Sequence, residues 1–171
     1  VEGLLDALEE SSGDRHLDHS LLYALVEVTR SDPSIDLRKR AVSDKRLLAA
    51  ILTLEQLGRG GELDPPQLFK AAFSQHVPLR RAAIAVLSSH PEWAADSQDN
   101  LQVLWLTLDS NPDAVNVLAE IAAGWRDEPS MAQLVGGWIA LAANNSPKQQ
   151  ALLAGNLARL SSHQLWPEWS Q

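Results

Sequence analysis

The stretch Leu79–His90 reads LRRAAIAVLSSH, and Leu152–His163 reads LLAGNLARLSSH. The two stretches agree at six of twelve positions at an offset of 73 residues, and a Pro-Glu-Trp tripeptide follows each of them. This offset equals two periods of about 36 residues, and Ala119–Ala122, which resembles Ala82–Ala85, falls between the two copies. Self-similarity at such a period predicts a stack of helical repeats.

Apolar residues recur at three- and four-residue spacing along the whole chain, which predicts amphipathic helices and no sheet. The clearest case is residues 16–29, where Leu17, Leu21, Ala24, Leu25 and Val28 are predicted to form the buried face. Proline and glycine mark the helix ends. The predicted helices span 2–10, 15–30, 33–41, 44–58, 65–74, 78–89, 97–109, 112–126, 130–143 and 147–161. We therefore expect an all-α fold of about five antiparallel helix pairs.

The local pattern at Val77–Leu87, VPLRRAAIAVL, is typical of HEAT repeats, in which a proline precedes Leu-Arg and alanines then follow at helical spacing. The W-x2-L-G-x2-Y pattern of tetratricopeptide repeats is missing. Alanines allow neighbouring helices to approach closely. The prediction is a HEAT/armadillo-like solenoid, a right-handed α-α superhelix, forming a single domain over residues 1–171 of a longer multidomain protein.

Residues Asp14–Val28, DRHLDHSLLYALVEV, resemble a D-R-x-L-E-H-A-L-x-Y-A-L-I-E-I motif in one family of large bacterial proteins, found in planctomycetes and their relatives. Members of that family combine a dehydrogenase-like β-propeller, a HEAT region and a cytochrome c domain. The resemblance implies a non-catalytic middle domain of a dehydrogenase located in the periplasm or cell envelope. The C-x-x-C-H motif for haem attachment is missing here, so we expect no cofactor in this segment.

Charge is unevenly distributed along the chain. Residues 37–81 hold nine bases and four acids, whereas 1–36 hold nine acids and two bases and 82–171 hold nine acids and three bases. The basic segment could bind phosphates, or its bases could pair with acids of adjacent repeats. The net charge of −8 favours intramolecular pairing, because nucleic-acid-binding domains are usually basic. We therefore do not expect nucleic acid as a partner.

Sequence motifs limit the chemistry that this segment can perform. It has no cysteine, which excludes disulfides, thiolate catalysis and cysteine-bound zinc within the segment. It also lacks G-x-S-x-G, H-E-x-x-H and the P-loop motif, and no apolar run is long enough to span a membrane. His16 and His19 share a helix face and could begin a metal site, but two histidines at this spacing are a weak signal. We expect no enzyme activity and no metal site.

The expected function is that of an interaction or spacer domain, which holds a protein partner or a neighbouring domain of the same chain in a concave groove. An alternative is a HEAT-like module that binds nucleic acid or modifies bases, and another is a metal-dependent enzyme using His16 and His19. Four tryptophans, Trp93, Trp105, Trp125 and Trp138, are predicted to fill the core, and Trp166 and Trp169 to cap the end or dock on a following domain. The predicted groove surface comprises His16, His19, Tyr23, Glu27, Arg46, Thr53, Gln56, Arg81 and Ser88.

Overall fold

A computed structural model describes residues 1–11, 14–140 and 146–160, apart from the side chains of 156–160. All regular structure in these residues is helical, which confirms the all-α prediction. Within the described ranges, three short 3-10 turns lie between the helices, at Arg38–Arg40, Gly60–Glu62 and Pro91–Trp93. The α-helices are α1 Glu2–Glu10, α2 Arg15–Ser31, α3 Asp44–Gln56, α4 Pro65–Ala71, α5 Val77–Ser89, α6 Gln98–Thr107, α7 Pro112–Gly124, α8 Pro129–Ala140 and α9 Pro147–Leu160.

Side-chain caps begin several of these helices at the predicted residues. Asp14 accepts hydrogen bonds from the amides of His16 and Leu17, and Asn111 accepts one from the amide of Asp113. Ser146 and Gln149 bond each other's amides through their side chains, which is a reciprocal capping box. These caps satisfy amides that have no partner within the helix. Gly58 ends α3 with a φ of 67°, a conformation that favours glycine.

The predicted helix at 33–41 is wrong. Asp32 Oδ1 accepts hydrogen bonds from both the amide and the hydroxyl of Ser34, so a local turn replaces the first helical turn. The carbonyl of Pro33 accepts a bond from Arg59 at 3.3 Å, which fixes the segment against the α3–α4 connection. Only Arg38–Arg40 is helical there, as a single 3-10 turn.

The predicted buried face of α2 is correct at Leu25 but wrong at both ends of the stripe. Leu25 is fully buried, but Leu17 is 47% exposed and Val28 39% exposed. The buried positions are Leu25, Val26 and Thr29, so the helix is rotated by about one residue, or roughly 100°, from the predicted orientation. Because Leu17, Leu21, Ala24 and Val28 form an equally regular apolar stripe, periodicity alone could not choose between the two faces.

The chain divides into two compact units, Val1–Val86 and Leu87–Gln171. In the first unit, α1, α2 and α3 contact one another, and their core includes Leu5, Leu25 and Ile51. In the second unit, α6 contacts α7 and α8, and α7 contacts α9.

The four tryptophans predicted to fill the core are buried, as expected. Trp105 and Trp138 stack with centroids 4.5 Å apart, and the indole of Trp138 donates to Gln102 Oε1 at 2.8 Å. The Trp125 indole donates to the Leu87 carbonyl at 2.6 Å, which satisfies the one polar atom of a fully buried side chain. The predictions for Trp166 and Trp169 lie outside the described residues.

Candidate groove on the first unit

Four of the predicted groove residues come together between α2 and α3. His19 and Tyr23 on α2, and Thr53 and Gln56 on α3, line a cavity of about 220 Å³. Tyr23 is 58% exposed and His19 and Gln56 are also exposed, so they form the rim. We refer to this cavity and its rim as the α2–α3 groove.

The floor of the α2–α3 groove is apolar. Leu22, Val26 and Leu52 complete its lining, and Val26 is buried whereas Leu52 is 40% exposed. Thr53 is fully buried, and its hydroxyl has no hydrogen-bond partner among the residues that the structure describes. An apolar floor beneath a polar rim suits burial of an apolar side chain from a ligand.

Two other predicted groove residues lie on α2 outside this lining. His16 is exposed in the first turn of α2. Glu27 forms an ion pair with Arg30 one turn further along. In the part of the chain that the structure describes, neither His16 nor His19 belongs to a cluster of three or more His, Asp or Glu side chains that could hold a metal ion.

Arg46 occupies a different position from the one predicted. Its guanidinium reaches the first helix, donating to Glu2 at 2.6 Å and to Glu9 at 2.7 Å, and it also binds Asp6. The three acids stand one turn apart on α1, so one planar guanidinium can reach all of them. The Arg46 side chain is only 12% exposed, and it joins α1 to α3 instead of lining the α2–α3 groove.

The two remaining predicted residues are on α5. Arg81 is exposed in the first unit and does not line the α2–α3 groove. Ser88 is half-buried in the second unit, where its main chain approaches Gly124 of α7 so closely that a Cβ at Gly124 would lie 2.0 Å from the Ser88 carbonyl oxygen. Ser88 therefore has a packing position within its own unit.

Most bases of the segment 37–81 have intramolecular partners. Arg38 and Lys39 pair with Asp36, Arg40 and Arg46 with acids of α1, and Arg59 with Glu62. The Arg38 hydrogen bond, together with the charges of Arg38 and Lys39, lowers the pKa of Asp36 to about 2. Lys45 and Arg80 donate to main-chain carbonyls. Among these bases, only the side chains of Lys70 and Arg81 make no hydrogen bond or ion pair with the residues described here.

A second cavity, which was not predicted from the sequence, is lined by the N-terminal halves of α2 and α3. Its volume is about 610 Å³, and it shares Leu22 with the α2–α3 groove. Asp18, Lys45 and His76 face it from α2, α3 and the loop before α5. No short motif connects these three residues in the sequence, since they are far apart in the chain and meet only after folding.

Comparisons with known proteins identify no relative of this chain. No family model, no curated protein and no solved structure matches the chain. Among the helices that the structure describes, none is long and apolar enough to cross a membrane.

Proposed function

We propose that this chain is a non-catalytic HEAT-like solenoid module that holds a protein partner, or a neighbouring domain of its parent protein, in the α2–α3 groove. Its architecture in this proposal is a right-handed superhelix of about five helix pairs. The parent in this proposal combines a propeller, this solenoid and a cytochrome domain, as the resemblance at Asp14–Val28 implies.

The observation that carries the proposal is the sequence separation of the tertiary contacts. In the first unit, Lys45 and Arg46 bind Glu9 over 36 and 37 residues. In the second unit, Trp138 binds Gln102 over 36 residues and Lys148 binds Asp109 over 39. The helices with substantial contacts are neighbours or next neighbours in the chain. A stack of repeats produces this pattern, because each repeat contacts only the adjacent ones.

The composition of the α2–α3 groove supports binding more than catalysis. Its exposed rim offers a phenol, an imidazole and an amide, which are hydrogen-bonding groups, over an apolar floor. Tyrosine is a frequent anchor in protein interfaces because it combines a large apolar area with one polar atom. Glu27, which lies one turn beyond Tyr23 on α2, is paired with Arg30. This combination suits an apolar side chain of a protein ligand with polar groups around it.

The test is selection of peptides from a random phage-displayed library on the immobilised chain. We expect enriched peptides to bind the unmodified chain and to lose about tenfold or more in affinity on Tyr23→Ala and on Leu52→Ala, the loss typical of an interface anchor. Val42→Ala is the matched control, because Val42 is an exposed apolar side chain, 77% exposed, that does not line the groove.

Two results would contradict the proposal. One is enrichment of no peptide at all. The other is a set of peptides whose affinity falls equally on Val42→Ala and on Tyr23→Ala, since binding would then not depend on the groove. Melting curves of Tyr23→Ala and Val42→Ala should coincide with that of the unmodified chain, because these two side chains are mostly exposed. Leu52→Ala should lower the free energy of unfolding by less than about 1 kcal/mol, because Leu52 is 40% exposed.

A further inference from the structure

The larger cavity of the first unit has the size and lining of a small-molecule site. Its volume of about 610 Å³ is within the range of ligand pockets, roughly 300–1,000 Å³. Leu8, Leu22 and Leu48 supply apolar walls, and the polar side chains of Ser11, Asp18, Lys45 and His76 face the same space. A few polar groups converging on an apolar cavity fix the orientation of a ligand.

The polar groups of this cavity include two opposite charges, Lys45 and Asp18, that form no ion pair with the residues that the structure describes. Lys45 Nζ donates to the carbonyls of Glu9 at 2.9 Å and Ser11 at 2.8 Å, which uses two of its three donors without neutralising its charge. Asp18 accepts a hydrogen bond from the Ser11 hydroxyl at 2.5 Å. Within the part of the chain that the structure describes, neither Lys45 nor Asp18 forms an ion pair.

His76 adds a third polar point. Its Nδ1 atom is buried and has no hydrogen-bond partner among the described residues. Buried polar atoms in proteins usually have a partner. His76 lines the cavity, so its imidazole adds to the lining a ring with hydrogen-bonding capacity that the described residues do not use. The cavity thus offers a cation, an anion and an imidazole around apolar walls.

We propose that this cavity binds a short apolar peptide with free ends, of dipeptide size. The carboxylate of the peptide pairs with Lys45, its ammonium with Asp18, and its internal amide bonds His76, while its side chains contact the leucine walls. A zwitterion fits both charges at once, whereas a purely anionic or cationic ligand leaves one of them unpaired and desolvated. This site is independent of the partner proposed for the α2–α3 groove.

The experiment is calorimetric titration of the unmodified chain with L-leucyl-L-leucine, its N-acetyl derivative and its C-terminal amide. We expect the free dipeptide to bind with a Kd below about 1 mM. Each blocked derivative should bind about tenfold more weakly or worse, because each loses one charge-assisted contact. The proposal is overturned if the free dipeptide gives no heat of binding at about ten times that concentration. It is also overturned if all three ligands bind equally.

Two variants test whether the dipeptide binds in this cavity. In Lys45→Met, the free dipeptide and its amide should bind equally, and in Asp18→Asn, the free and N-acetylated dipeptides should bind equally. Lys70→Met is the control, since Lys70 is an exposed lysine of the same unit outside the cavity. Preserved discrimination in both cavity variants would place the dipeptide elsewhere and overturn the assignment. If a variant does not fold, the comparison of the three ligands on the unmodified chain still tests whether both charged ends of the dipeptide are recognised.

Discussion

Leu25 and Leu17 stand on the same helix, and their environments differ more than their sequence contexts suggest. Leu25 is fully buried against the neighbouring helices, whereas Leu17 is nearly half exposed. A buried leucine contributes the transfer free energy of its side chain and fills space that would otherwise be a cavity. An exposed leucine contributes little of either.

We therefore expect Leu25→Ala to lower the free energy of unfolding by about 2–5 kcal/mol, the range for a core leucine. Leu17→Ala should lower it by less than about 1 kcal/mol, because few packing contacts are lost. Urea denaturation of the two variants measures both free-energy changes, and both residues lie on the same helix, α2. A larger loss for Leu17→Ala would restore the face predicted from periodicity and contradict the observed orientation of α2.

The sequence could predict that α2 exists but not which way it faces. Asp14 marks its start and the apolar spacing marks its length, and both are local signals. Its rotation depends on α1 and α3, which present apolar side chains that only the folded unit brings together. The same reason explains why Arg46 was assigned to a groove, since its three acidic partners are 37 to 44 residues away.

Between elements, the junction of α1 and α3 depends on the ionic cluster around Arg46. We expect Arg46→Met to lower the melting temperature near pH 7 and to do so more than Arg30→Met. Arg30 pairs with a single glutamate on its own helix, and both side chains are largely exposed, so that pair is worth little. Equal losses in the two variants would contradict a structural role for the cluster.

The contribution of this cluster should depend on pH in a definite direction. Hydrogen bonds from Arg46 and Arg40 lower the pKa of Glu2, and hydrogen bonds from Ser43 and Arg46 lower the pKa of Glu9, below the usual 4.5. The stabilisation is therefore complete above that value and is lost as the pH falls through the lowered values. Melting curves of the native chain and Arg46→Met should converge in acid. A constant difference from pH 7 down to acid would contradict this linkage.

The close approach of α5 and α7 requires a residue without a side chain at position 124, which is Gly124. We expect Gly124→Ala to cost about 3 kcal/mol, the upper end for overpacking, because its Cβ would lie 2.0 Å from a main-chain oxygen of Ser88. Gly137→Ala is the control in α8, where nothing lies within 4 Å of the added Cβ. It should stabilise the helix by about 0.5–1 kcal/mol. Thermal unfolding of both variants tests this, and two losses of similar size would contradict the close approach.

At the scale of the whole molecule, the sequence predicted the helical class and most helix positions, because caps and prolines act locally. The segment 33–41 was predicted wrongly because its side chains bond their own turn. The α2–α3 groove was predicted in part, since His19, Tyr23, Thr53 and Gln56 lie on helical faces whose spacing is visible in the sequence. The cavity at Lys45 and His76 could not be predicted, because it exists only where separate helices meet.

Charge, finally, decides whether nucleic acid is a plausible partner for the whole chain. We expect no binding tighter than about 10 µM to duplex or single-stranded DNA near physiological salt, in a fluorescence anisotropy titration. Seven of the nine bases in 37–81 already bind acids or carbonyls, and the net charge of −8 repels a polyanion. Arg81 and Lys70, which remain exposed, are too few for the several phosphate contacts that such binding needs. Binding at about 1 µM or tighter that weakens steeply with salt, and is lost in the double variant Lys70→Ala and Arg81→Ala, would reverse this conclusion and favour the nucleic-acid alternative.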